Sequence, residues 1–333
     1  MKIGIITFCE AVNYGAFLQA FSLGEFLKEN NQDVEYITTR SLKSVYWNVH
    51  NLYAYHLDRI AFRNEFRHKW NKAQKKLKKT KKKSGYDLVI IGSDEMWQLN
   101  GKTVKPLPEY WGVGIDSKKI ITYAVCSNGT SSEQVRGYQF VIDGIRKLDS
   151  ISVRDTRTQS VYQELTDKEI DVHVDPTFLV DLRKYAVKPQ LDKYLLVYTY
   201  SFDTDKIKQT KEFAKQKGLK IVAVGNKFDW CDFSLPASPF EVLGLFMNAE
   251  YVVTDTFHGT ALSIHFHRQF CTFADGKEKI LELIKEFHLE HRNACKYETL
   301  SEMEQVPVDY EKVSEELKEK RDKSQQYLRG FIS

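Results

Sequence analysis

The chain has 333 residues, 42% of them hydrophobic and 28% charged, and a net charge of +4. That composition leaves room for about two domains and excludes a disordered chain, a coiled coil and a collagen-like fibre. No apolar run reaches the ~18 residues of a spanning helix, and five widely spaced cysteines (Cys9, Cys126, Cys231, Cys271, Cys295) form no CxxC pair, so neither a disulfide framework nor a four-cysteine zinc site is indicated.

In chain order, Lys2–Thr7 reads as a first strand, Gly15–Glu29 as a helix with an apolar face, and Val34–Ile37 as a second strand. Such a βαβ opening leads to a parallel sheet. Residues 52–82 read as a basic helix on which Phe62, Phe66 and Trp70, four apart, share one face. Asp87–Ile91 is a buried strand ending in Gly92-Ser93-Asp94, and Ile120–Tyr123 is another. Gln134–Lys147 reads as a helix, Ser150–Val153 as a strand, Thr158–Leu165 as a helix, and Asp181–Asp192 as a linker. A second series follows: strand Tyr194–Tyr200, helix Thr204–Lys217, strand Lys220–Val224, helix Phe240–Asn248, strand Tyr251–Thr254, helix Gly259–His267 and strand Gln269–Phe273. Gly276–Phe287 and Tyr310–Arg329 read as further helices.

Two strand–helix series joined by a linker predict an α/β fold of two Rossmann-like domains facing across a cleft. The expected domains are 1–185, carrying a basic helical insert near 52–83, and 193–308, with a C-terminal helix over 309–333 packing back on the first. The opening Met-Lys-Ile-Gly-Ile-Ile-Thr-Phe has no apolar stretch of signal-peptide length, so a cytoplasmic location is expected.

Charge is unevenly spread. Between Arg59 and Lys83 stand twelve basic residues against Glu65 alone, a segment of +11 that leaves the rest at −7. The segment reads first as a solvated helix, next as a contact with an anionic membrane surface at the inner face, and last as a nucleic-acid site. No nucleic-acid fold signature accompanies it, so no nucleic-acid partner is expected.

Open parallel sheets bind ligands beyond the carboxyl ends of their strands, so the candidate residues are sought there. Strand one leads to Asn13, Tyr14 and Gly15, the next buried strand to Gly92, Ser93 and Asp94, and the strand at 153 to Arg154 and Asp155. In the second half, Thr254 leads to Asp255, Thr256, Phe257, His258, Gly259 and Thr260. His258 at a helix start is either a proton donor beside an anion held there or a packed cap residue. Arg154 is either a grip for phosphate or carboxylate or an ordinary ion pair with Asp155. Asn13-Tyr14-Gly15 and Gly92-Ser93-Asp94 also suit helix starts alone. GxxxxGK[ST] is absent, and the absence of GxGxxG after the first strand argues against a dinucleotide site. The absence of HExxH leaves a metal site unsupported, and the absence of GxSxG weakens a hydrolase reading.

The ordered motifs resemble those of the polysaccharide pyruvyl transferase family. They are Asn13-Tyr14-Gly15-Ala16-Phe17-Leu18-Gln19-Ala20, Tyr86 to Trp97, Ile121-Thr122-Tyr123-Ala124, Ile151-Ser152-Val153-Arg154-Asp155, Val174-Asp175-Pro176-Thr177, and Ala249 to Ala261. They run in family order over most of the chain. The resemblance implies an architecture like B-type glycosyltransferases, with pyruvate passing from phosphoenolpyruvate to a sugar, free or lipid-linked, as a ketal. It implies that no cofactor is needed, neither metal nor dinucleotide, and it implies Arg154 as the donor-binding arginine and His258 as the active-site histidine. Asp94 and Asp255 are candidate bases, and Asn13, Tyr14, Gly15, Gly92, Ser93, Thr256, Gly259 and Thr260 are candidate substrate-binding residues. Two positions depart from the family pattern. Thr256 stands where well-known members have arginine, and Glu95 stands where many have glutamine. Lys227 and Lys277 are the cations placed to replace that arginine. The competing expectations are a glycosyltransferase using a nucleotide sugar and a non-catalytic carbohydrate-binding member.

Overall fold

The computed structural model describes residues 1–39, 57–101 and 105–332. The chain forms two compact units, one of Met1–Leu52, Lys75–Val180 and Glu319–Ser333, the other of Tyr53–Gln74 and Asp181–Lys318. The chain thus passes between units at the head of the expected linker.

The first unit opens with β1 (Lys2–Ile6), α1 (Tyr14–Glu29) and β2 (Asp33–Ile37). After α2 (Leu57–Gln74), which groups with the second unit, come β3 (Lys79–Thr80), β4 (Tyr86–Ile91) and β5 (Ser117–Thr122). These strands form one parallel sheet in the order β3-β2-β1-β4-β5. Helices α3 (Ser132–Arg136) and α4 (Gln139–Lys147) follow, then β6 (Ile151–Val153), α5 (Thr156–Gln163) and β7 (Ile170–Val172), with β6 and β7 paired in parallel.

The second unit adds β8 (Tyr194–Tyr198), α6 (Thr204–Lys217), β9 (Lys220–Val224), β10 (Phe233–Leu235), α7 (Pro239–Asn248), β11 (Tyr251–Thr254), α8 (Phe257–His265), β12 (Phe270–Thr272), α9 (Glu278–Glu286) and α10 (Leu300–Met303). Its sheet has the order β10-β9-β8-β11-β12, again all parallel. The final helix, α11 (Tyr310–Ile332), belongs to the second unit up to Lys318 and to the first from Glu319. The sequence reading gave the whole of it to the first.

Parallel strands covered on both faces need apolar side chains in both directions, which is why KIGII, YDLVII, YLLVY and YVVT are apolar apart from Lys2, Asp87 and Thr254 at or near their ends. The first core gathers Trp97, Trp111, Tyr110 and Tyr162 over Val89 and Ile91. The second gathers Phe213, Tyr251 and Phe273 over Leu195, Val197 and Val253. Arg292, fully buried in the second unit, is held by the carbonyls of Phe270 and Val306 and the hydroxyl of Tyr251.

The basic segment departs from the single helix expected over 52–82. Residues 52–56 lie outside the described residues, α2 ends at Gln74, and the lysine run continues as β3, the edge strand beside β2. Helical periodicity over the aromatic residues does not extend through a lysine run that has no apolar stripe. The insert also does not belong with the first unit. Lys69 bonds Glu241 at 3.0 Å and Arg59 bonds Asp229 at 2.9 Å, fastening α2 within the second. Trp70 is buried, while Phe62 and Phe66 are half-buried. The helix expected over 134–147 is two helices, parted at Gly137 and Tyr138.

Candidate active site

Each sheet reverses its strand order at one place, between β1 and β4 in the first unit and between β8 and β11 in the second. Such switch points leave a crevice beyond the strand ends, because successive crossovers run to opposite sides. The polar motifs of the sequence lie at both.

In the first unit Asn13 caps α1, its Oδ1 accepting the Ala16 N–H at 3.0 Å, and Tyr14 and Gly15 are buried in the first turn. Gln19, one turn on, joins the two strand ends. Its Nε2 donates to Thr7 Oγ1 at 2.8 Å, and its Oε1 accepts the Ser93 N–H at 3.2 Å. Gly92 has φ +122°, and a Cβ there would stand 2.2 Å from the Tyr123 carbonyl oxygen, so the turn admits only glycine. Ser93 is fully buried, and its hydroxyl donates to the Ala124 carbonyl at 2.8 Å.

Arg154 leaves the end of β6 with its side chain almost wholly buried. Nη1 donates to Asp175 Oδ2 at 2.9 Å, with Asp94 Oδ1 at 3.8 Å. Burial opposes the charge, but Cys126, Asp175, Asp94 and Asp155 outweigh it, so the guanidinium holds its proton more firmly than usual. Burial also pushes the adjacent Cys126 thiol up to about 12. Asp155 uses Oδ1 to cap α5 at Thr158 N, 2.7 Å, rather than to pair with its neighbour. Asp175 Oδ1 receives the N–H and hydroxyl of Thr177 at 3.0 and 2.8 Å, which fixes the carboxylate facing Arg154.

In the second unit α8 begins at Phe257, two residues before the expected Gly259. Thr256 is its cap, with Oγ1 accepting the Gly259 N–H at 3.0 Å and lying 3.0 Å from Thr254 Oγ1. The amides of Gly259 and Thr260 are therefore already engaged, Thr260 N–H by the Thr256 carbonyl. Gly259 packs so closely that a Cβ would sit 2.1 Å from Thr254 Oγ1. Thr260 is fully buried and donates to the Thr256 carbonyl at 3.0 Å. His258 stands in the first turn, nine-tenths buried, with its ring edge-on to Phe257. Asp255 carries the one cation of this turn named from sequence. Lys277 Nζ donates to its Oδ2 and to its carbonyl, each at 2.6 Å.

The structure therefore gathers Asn13, Tyr14, Gly15, Gly92, Ser93, Asp94 and Arg154 in the first unit and Asp255, Thr256, His258, Gly259 and Thr260 in the second. Gln19, Asp175 and Lys277 join them, although sequence reasoning gave Gln19 and Asp175 no role. An Asp before Pro-Thr is a cap signal and was the available clue to Asp175. Chemically, the first constellation supplies a fixed cation with carboxylates beside it. The second supplies an imidazole, an ammonium and a carboxylate at a helix opening.

A family model described as polysaccharide pyruvyl transferase matches residues 13–276. No curated protein matches the chain by sequence. Among solved structures, one assigned as a UDP-N-acetylglucosamine 2-epimerase from Listeria monocytogenes has TM-score 0.50 at 10% identity, covering 85% of this chain and 81% of that one. The UDP-GlcNAc 2-epimerase of Methanocaldococcus jannaschii has TM-score 0.48 at 12% identity, over 96% and 92%. The Escherichia coli heptosyltransferase WaaC with ADP has TM-score 0.39 at 12% identity, over 82% and 87%. At such identities likeness speaks only to fold, and the Listeria structure, at TM-score 0.50, shares the α/β class.

Proposed function

The chain belongs to the polysaccharide pyruvyl transferase family, and we propose that it moves pyruvate from phosphoenolpyruvate onto two hydroxyls of a sugar, as a ketal, in surface polysaccharide synthesis. The chain is a transferase. Its family match over residues 13–276 carries the reading.

The donor is an enol ester bearing a carboxylate and a phosphate. His258 gives a proton to the methylene carbon, and the adjacent carbon becomes cation-like. A sugar hydroxyl attacks that carbon and yields its proton to a carboxylate, for which Asp94 and Asp255 are the candidates. The carbon–oxygen bond to phosphate breaks with the electron pair leaving on phosphate. The second hydroxyl then attacks the carbon that phosphate has left, closing the ketal and giving its proton to the departed phosphate. Arg154 balances anionic charge of the donor, and no metal or dinucleotide enters the scheme. The acceptor is a free or lipid-linked sugar, and the lysines of residues 75–82 meet an anionic membrane that carries it. No helix among the described residues is long and apolar enough to cross a membrane.

Incubation with phosphoenolpyruvate and candidate glycans tests the reading. Phosphate release matched by a pyruvyl mass gain on the glycan is expected, and both are expected to fall about 100-fold or more in His258→Gln. Transfer from a nucleotide sugar instead would overturn it, as would glycan binding without any turnover.

A further inference from the structure

We propose that Lys277 is a donor-binding residue, an ammonium anchored on Asp255 so that its remaining N–H meets the phosphate or carboxylate of the donor. The inference rests on the reading above. An ammonium has three N–H donors. Two of those on Lys277 reach Asp255, one to the carbonyl and one to Oδ2, at 2.6 Å each. The side chain is about one-third exposed, and these two hydrogen bonds leave the third donor unused.

The position matters more than the charge alone. Asp255 immediately precedes the cap Thr256 and stands three residues before His258. Thr256 brings no charge, and its hydroxyl is engaged with the Gly259 N–H and with Thr254. Lys277 arrives from the neighbouring strand end, after β12, and stands next to α9. A lysine stem is flexible, and placing its ammonium at a ligand ordinarily costs rotamer freedom. The double contact with Asp255 has already fixed it. Lys206 contributes a second cation to the same edge. Its ammonium is bonded to Asp203 at 2.5 Å, and both Asp203 and Asp255 strengthen its hold on the proton. Asp255 then serves as the anchor, with Oδ2 taken by the ammonium, and is a positioning residue for Lys277.

Direct binding of phosphoenolpyruvate and of inorganic phosphate, by titration calorimetry on the full chain, tests this. Lys277→Ala is expected to weaken both about 10- to 100-fold. Lys277→Arg is expected to restore part of the loss, and the parent to lose more affinity with added salt than Lys277→Ala does. In turnover, KM for phosphoenolpyruvate should rise while kcat changes little. Lys277→Gln, with thermal unfolding measured alongside, replaces the alanine variant should that one fold poorly. A parent that binds and transfers pyruvate while Lys277→Ala and Lys277→Gln bind both anions equally well overturns this proposal alone. A parent with no affinity for phosphoenolpyruvate overturns the proposed reaction and this inference with it.

Discussion

Arg154 and Asp175, twenty-one residues apart, form a buried ion pair in which Nη1 donates to Oδ2 at 2.9 Å. Their side chains are 3% and 0% exposed, so neither charge is balanced by water. Breaking a buried pair on one side is costly because the surviving charge stays desolvated. Asp175→Ala is expected to destabilise the first unit by about 3–5 kcal/mol, read by urea unfolding. Asp175→Asn keeps an acceptor for the Thr177 N–H and hydroxyl but removes the charge, so its loss should be smaller, and the difference isolates the cap. Two variants as stable as the parent would mean that Arg154 does not need this partner.

His173 sets a pH dependence. It is buried where Tyr327 lies 4.6 Å from its ring and Ser324 Oγ 3.3 Å from Nδ1. Burial lowers its pKa from 6.5 to about 4, opposed by Asp171 and assisted by Lys323. Because the folded value is depressed for a base, the unfolded chain binds the extra proton between those values. Stability is thus full above the unfolded pKa and falls as pH drops toward 4. The full contribution is roughly 3 kcal/mol, of which about 2 kcal/mol is lost by pH 5. Urea unfolding at pH 7 and pH 5 should show a smaller difference in His173→Gln than in the parent. Equal differences would assign the acid sensitivity to carboxylates elsewhere.

Gly259 reports on the tightness of the second strand end. A methyl there would meet Thr254 Oγ1 at 2.1 Å and Thr256 Oγ1 at 2.7 Å. Thr254 cannot yield freely, since its hydroxyl donates to the Tyr198 carbonyl at 2.6 Å. Gly259→Ala should cost about 1–3 kcal/mol and strip the cap of α8, with activity falling alongside stability. Gly330, in α11, has nothing within 4 Å of its would-be Cβ among the described residues, and Gly330→Ala should be neutral or stabilising. Similar losses in both would show that the packing at Gly259 is looser than these distances.

Much of this arrangement was legible in the sequence for a physical reason. The central parallel strands β1, β4, β8 and β11 are apolar apart from Lys2, Asp87 and Thr254 at or near their ends, and the chain leaves them through Gly, Ser, Asp, Thr and Asn, so strand ends announce themselves. Short edge elements do not. β3 reads Lys-Thr and β10 reads Phe-Ser-Leu, too short for a period to show. The partners of the site residues were hidden as well. Gln19 lies seventy-four residues from Ser93, and Lys277 twenty-two from Asp255, distances at which only the fold decides who meets whom. Thr256 was legible as a residue at a strand end, while its capping of α8 through the Gly259 N–H shows only in the fold.

The lysine run makes the last prediction. Lys78 pairs with Asp33 and Glu35, and Lys83 with Glu109. Lys75, Lys76, Lys79, Lys81 and Lys82 are exposed and form no ion pair among the described residues. Lysines on an edge strand also keep it from pairing with other sheets, so exposure alone serves solubility. Membrane contact adds a quantity that solubility does not, about 1 kcal/mol per basic residue near an anionic surface, falling within a Debye length. Replacing Lys75, Lys76, Lys81 and Lys82 by Gln leaves the strand residue Lys79 in place. Sedimentation with phosphatidylserine vesicles at low salt should then show at least a roughly tenfold loss of binding, with stability unchanged. Pyruvyl transfer to a soluble glycan should be unaffected, while transfer to a lipid-linked acceptor in vesicles should fall. A parent that does not sediment with such vesicles at low salt would leave these lysines with a solubilising role alone.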